Sequence, residues 1–90
     1  MYVDQRCDIF SFGVVMYQML TNKLPFTGEN EIALIHSIFN THPEKPSLIN
    51  KNCHRGLEKI TLKCIEKEPE NRFKNVDELL NEIVKLKNSN

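Results

Sequence analysis

The sequence predicts an all-α fold of four helices, and three observations predict it. Apolar residues recur at helical spacing in four stretches, no stretch shows the sustained alternation of a strand, and breaker-rich segments separate the four. There is no internal repeat, and 90 residues suit one small domain or a piece of a larger one.

The first helix is expected from Asp8 to Thr21, with Asp8 as its cap. Asn22-Lys23-Leu24-Pro25 ends it, because the residue before a proline avoids helical geometry. Phe26-Thr27-Gly28-Glu29-Asn30 reads as a turn-rich linker, and Asn30 caps a second helix from Glu31 to Phe39. Residues 40–55 hold Pro43, Pro46 and three asparagines and read as an irregular loop. A third helix is expected from Gly56 to Lys67, stopped by Pro69. The fourth runs from Val76 to Lys87, with Asn75 and Glu78 at the spacing of a capping box.

The faces of these helices differ. In the fourth, Val76, Leu79, Leu80, Ile83 and Val84 form one apolar stripe, with Asp77 and Glu78 in the first turn and Lys85 and Lys87 in the last, as the helix dipole favours. In the first, Ile9, Phe10, Phe12, Val14, Val15, Met16, Tyr17, Met19 and Leu20 cover nearly the whole circumference. Such a helix has to be enclosed on all sides by protein, and three short partners hardly suffice. Either the chain self-associates through this helix, or it is separated from elements that once covered it. A domain of this size has roughly 5–9 kcal/mol of net stability at best, so one missing packing partner matters.

Composition narrows the function. Twelve basic and twelve acidic side chains give a net charge of zero, which argues against a nucleic-acid binder, including a small helix-turn-helix protein. The uncharged run Ile9–Leu20 is too short to span a bilayer, so no membrane partner is expected for this segment. Asp4 and Arg6 precede it without a small-residue cleavage site, unlike a signal peptide. Cys7, Cys53 and Cys64 read as reduced thiols of a cytoplasmic protein. The spacings of His36, His42, Cys53, His54 and Cys64 match no zinc pattern, so no metal site is expected. Lys59, Lys63 and Lys67, four residues apart on the third helix, read as a solvated stripe.

Two segments carry a family resemblance. Asp8-Ile9-Phe10-Ser11-Phe12-Gly13-Val14-Val15-Met16-Tyr17-Gln18-Met19-Leu20-Thr21, followed by Leu24-Pro25-Phe26, resembles the central helix of the protein kinase large lobe and the turn after it. Cys64-Ile65-Glu66-Lys67-Glu68-Pro69-Glu70-Asn71-Arg72-Phe73 resembles a second kinase segment, with Glu68 where aspartate is usual, and Asn75–Leu80 resembles the start of the last helix. The resemblance runs from Asp4 to Lys87, and the lead-in Val3–Asp8 and the Leu-Pro-Phe turn resemble bacterial serine/threonine kinases.

The resemblance implies a four-helix partial C-lobe of the kinase fold over residues 1–90, and a parent activity that phosphorylates protein hydroxyls using ATP and Mg2+. Phosphoryl transfer needs groups that hold nucleotide phosphates, magnesium ligands and a carboxylate to orient the hydroxyl. No glycine-rich loop, HRDxxxxN or DFG occurs among these residues. His54-Arg55-Gly56 has glycine where the catalytic aspartate would stand, and Thr61 falls where the asparagine would stand. No catalytic, cofactor-binding or metal residue is therefore expected in this chain, and no nucleotide binding. By resemblance, Asp8 accepts hydrogen bonds from catalytic-loop amides, and Arg72 pairs with the glutamate of the APE motif; the plainer reading makes them a helix cap and a solvated charge. Gly13 is expected where a neighbouring segment packs closely. Kinases also use the helix matching Glu31–Phe39 for docking, which makes Ile32, Leu34, Ile35 and Ile38 a docking surface, with plain core packing as the simpler expectation. The chain thus reads as a kinase fragment, cut off by truncation, frameshift or a miscalled start; the alternative is a non-catalytic interaction module. Its partners would be the missing kinase half, an intact kinase or a second copy.

Overall fold

Gln5–Thr21 contains no proline and one glycine, and in the computed structural model, which describes residues 5–88, it forms a single helix, α1. It starts three residues earlier than expected, because nothing in Gln5-Arg6-Cys7 breaks a helix. Asp8 is therefore not the cap but an exposed carboxylate in the first turn, where it still complements the dipole. Asn22 ends α1 in the left-handed region, at φ 62°, a conformation asparagine tolerates. The last turn is held by several bonds. Asn22 N donates to Gln18 O (2.7 Å), Thr21 Oγ1 to Tyr17 O (2.8 Å), and the distant Asn50 Nδ2 to Leu20 O (3.1 Å).

Helix α2 (Glu31–Asn40) is capped by Asn30, whose Oδ1 accepts from Ala33 N at 2.9 Å. The segment expected to be irregular contains one short helix, α3 (Pro46–Ile49). Its proline stands at the first helical position, where the missing N–H costs nothing. Four residues are too few for periodicity to reveal. Helix α4 (Arg55–Cys64) is capped by His54, whose Nδ1 accepts from Gly56 N (3.0 Å) and Leu57 N (3.3 Å). It stops at Cys64 rather than Lys67, since Ile65 leaves helical geometry at φ −105°, ψ 18°. Lys67 is consequently not in line with Lys59 and Lys63. A 3-10 turn (Pro69–Asn71) leads to α5 (Val76–Asn88), where Glu78 N donates to Asn75 Oδ1 at 2.9 Å. All four expected helices are present, and no strand occurs among the described residues.

Helix α1 packs on α4 through Ile9, Gly13 and Tyr17, one face at four-residue spacing, against Ile60, Thr61, Cys64 and Ile65. Phe26, Phe73 and Leu79 complete the core. The Tyr17 hydroxyl donates to Glu44 O (2.8 Å) and anchors the loop before α3; burial, and then the Glu44 charge, push its pKa up. The opposite face of α1 is uncovered: Phe12, Val15 and Met19 are 38%, 55% and 75% exposed. The molecule is a slab of 42 × 35 × 17 Å, too thin to enclose a helix about 10 Å across on both sides. Its surface of 6702 Å2 exceeds the roughly 5400 Å2 usual for a monomer of this mass. None of the described helices is long and apolar enough to cross a membrane.

Two predictions arise from the core. Thr61 is fully buried and its Oγ1 has no hydrogen-bond partner. Thr61→Val should raise stability by about 1 kcal/mol, read as an increased denaturant midpoint. Glu58 Oε2 accepts from Ser47 N at 2.6 Å, tying α3 to α4. Hydrogen bonding from Ser47 holds the Glu58 pKa below its ordinary 4.5, against an opposing push from burial. A depressed carboxylate stabilises fully above the unfolded-state pKa and loses that contribution as pH falls through the folded-state value. Glu58→Gln should therefore flatten the decline of the denaturant midpoint below pH 4.5, relative to the parent chain.

Candidate functional site

Charged and aromatic side chains gather where α1, the end of α2 and the segment after α4 meet. Phe10 of α1 and Phe26 of the turn stack in parallel, with centroids 5.9 Å apart and planes inclined by 10°. Each ring carries a cation: the Arg72 guanidinium lies 4.7 Å from the Phe10 centroid, and Lys67 Nζ 5.0 Å from that of Phe26.

Both cations also bind main chain. Arg72 donates from Nε to Glu66 O (2.6 Å), from Nη2 to Lys67 O (3.2 Å) and from Nη1 to Arg6 O (3.3 Å). It thus joins the first turn of α1 to the segment that follows α4. Lys67 Nζ donates to Ile38 O (2.8 Å) and to Thr41 O, satisfying carbonyls at the C-terminal end of α2. Partial burial lowers the Lys67 pKa, and neighbouring Glu66 acts in the other direction. Beside these groups is a cleft of about 290 Å3. Cys7, Phe10 and Ser11 of α1 face Ile38 and Phe39 of α2 across it, with Lys67 and Arg72 at its edge. The lining is mostly apolar and bears two cations and no carboxylate.

The anticipated residues fall in different places. Arg72 belongs to this cleft and, half-buried over Phe10, is not a solvated charge. The exposed side chain of Asp8 makes no hydrogen bond or ion pair with a described residue. Gly13 is buried in the contact of α1 with α4, where an added Cβ would lie 2.6 Å from both Cys64 Cβ and Ile65 Cγ2. On α2, Ile38 packs against the core, but Ile32 is 81% exposed, Leu34 and Ile35 are exposed, and so is Phe39. Core packing therefore describes Ile38 alone, because α2 is held mainly at its C-terminal end. The role of Lys67 was not legible: its spacing from Lys63 suggested a helical stripe, and only the early end of α4 frees it to turn toward α2.

The thiols divide by burial. Cys64 is fully enclosed and its pKa is pushed up to about 11, and burial also raises that of Cys53, whereas Cys7 is exposed. A buried, protonated thiol is a packing group rather than a nucleophile.

Comparison with known proteins gives this geometry its context. The model of the protein kinase domain matches residues 1–85. The chain belongs to the protein kinase family. A probable serine/threonine-protein kinase of Clostridium acetobutylicum is 39% identical over 87 residues, covering 97% of this chain and 13% of that protein. Serine/threonine-protein kinase PknB of Mycobacterium tuberculosis is 33% identical over 86 residues, covering 96% of this chain and 14% of its own length. A probable serine/threonine-protein kinase of Clostridium perfringens is 31% identical over 86 residues. The kinase segment thus spans about one-seventh of the length of these curated relatives.

Kinases use ATP and magnesium, and the donor set of this segment does not fit them. Magnesium takes oxygen ligands in octahedral array, and the nucleotide phosphates need a cradle of backbone amides and a cation. Among the described residues no three His, Cys, Asp or Glu side chains converge. A cleft of about 550 Å3 between α4 and α5 has Glu82 as its one carboxylate, and a smaller one beside His42 and Lys45 has only Glu66. No step of phosphoryl transfer is assigned to these residues.

Proposed function

We propose that these residues form the C-terminal part of the large lobe of a serine/threonine protein kinase domain and carry no phosphotransfer chemistry of their own. The observation that carries the reading is the match to residues 1–85 of a chain that contains none of the phosphate- and magnesium-binding motifs. In this role the segment is a platform. The exposed apolar face of α1 and the Arg72 cleft receive the preceding part of the kinase domain, which holds ATP and magnesium and phosphorylates protein serine or threonine hydroxyls. The cytoplasm is part of the same proposal.

A thermal-shift titration with Mg-ATP and a radiolabelled-phosphate assay on a generic protein substrate test the proposal. The 90-residue chain should show neither saturable stabilisation nor labelling. Coexpression with the preceding kinase segment of the Clostridium acetobutylicum relative should give a stable complex that restores both. Labelling by the chain unaided would overturn the reading.

The exposed residues of α2 favour a second reading, a non-catalytic module that docks on an intact kinase. It requires a soluble, cooperatively folding monomer or defined dimer, and an aggregating chain that binds hydrophobic dyes would exclude it.

A further inference from the structure

We propose that the cleft between α4 and α5 binds a single-chain carboxylate amphiphile, its head held by Lys59 and Lys63 and its chain laid along Ile60, Phe73 and Leu86. The cleft measures about 550 Å3, within the span of small-ligand sites and far more than a simple ion requires. Gly56 lies at one end, where an added Cβ would come within 2.3 Å of Leu86 Cδ1, the end of a flexible side chain.

Charge selects the ligand. The rim carries three ammonium groups, Lys59 and Lys63 one turn apart on α4 and Lys85 on α5, in a chain whose net charge is zero. The one carboxylate, Glu82, lies 3.5 Å from Lys85 Nζ, which leaves Lys59 and Lys63 without an acidic partner among the described residues. Lys63 Nζ sits 4.7 Å from the centroid of the Phe73 ring, over the apolar floor. A ligand head meeting it there would have its tail already against hydrocarbon. An open groove of this volume between two helices admits one chain, whereas a bilayer presents a broad surface.

The test is an amide NMR titration of the full chain with decanoate, kept below its micelle-forming concentration. Acetate, decyltrimethylammonium and vesicles of anionic phospholipid serve as comparators. Saturable shifts confined to Gly56, Lys59, Lys63, Phe73 and Leu86 are expected with decanoate, and none with acetate or the cationic amphiphile. Lys59→Glu/Lys63→Glu should weaken decanoate binding by about tenfold or more, with Lys59→Ala as the milder variant if the reversal disturbs folding. Equal binding of the cationic amphiphile, equal binding of acetate, indifference to both variants, or binding to vesicles alone would each overturn the proposal.

Discussion

Gly13→Ala is expected to destabilise the chain by about 2 kcal/mol, and Gly13→Val by more than about 3 kcal/mol, enough to leave much of it unfolded. The first added carbon would lie 2.6 Å from both Cys64 Cβ and Ile65 Cγ2, more than an ångström inside van der Waals contact. Cys64 and Ile65 are 0% and 3% exposed, and Cys64 Cβ is fixed to the backbone, so neither neighbour has room to withdraw. Alanine regains about 1 kcal/mol of helix propensity, which offsets only part of the overpacking. Gly56→Ala is the internal control. Its close neighbours are mainly the terminal methyls of Leu86, which can rotate away, so the loss there should be below about 1 kcal/mol. Equilibrium denaturation of the three variants checks the ranking; equal losses at Gly13 and Gly56 would show that the α1–α4 contact is not the constraint described.

Why Gly13 was legible while other features were not follows from the range of the forces involved. A glycine inside an otherwise apolar helix has few explanations besides close packing, and the sequence around it specifies the helix locally. Asn30 as a cap and the Asn75–Glu78 pair are equally local, each a side chain bonding to an amide a few residues on. Lys67 and Arg72 are of another kind. Their acceptors are Ile38 O, 29 residues away, and Arg6 O, 66 residues away, and nothing in the spacing of charges encodes such contacts. Helix α3 escaped notice for a similar reason: it is held by Glu58, eleven residues beyond Ser47, rather than by a pattern of its own. The overturned packing of α2 has the same origin, since Ile32, Leu34 and Ile35 have the spacing of core residues and lack an opposing surface among the described residues. The all-α class was legible from periodicity, and so was a central helix too apolar for its partners, because its apolar residues cover nearly the whole circumference.

Arg72→Ala should cost about 3 kcal/mol, the second large effect. The substitution removes charge-assisted bonds to the carbonyls of Arg6, Glu66 and Lys67 and the contact with Phe10. Half-burial keeps the loss below the sum of those contacts, because water reaches part of the guanidinium in the folded chain. Arg72→Lys should recover less than half, since one ammonium cannot span acceptors on Arg6, Glu66 and Lys67 as a planar fork does. Hydrogen exchange locates the damage: amides in the first turn of α1 and around Glu66 should lose protection ahead of those near Leu79 in α5. A double-mutant cycle with Phe10→Leu isolates the ring contact, with an expected coupling of about 0.5–1 kcal/mol. Zero coupling would leave the carbonyls as the main anchors. A coupling with uniform loss of protection through α5 would instead mean that Arg72 stabilises the whole chain rather than the junction of α1 with the segment after α4.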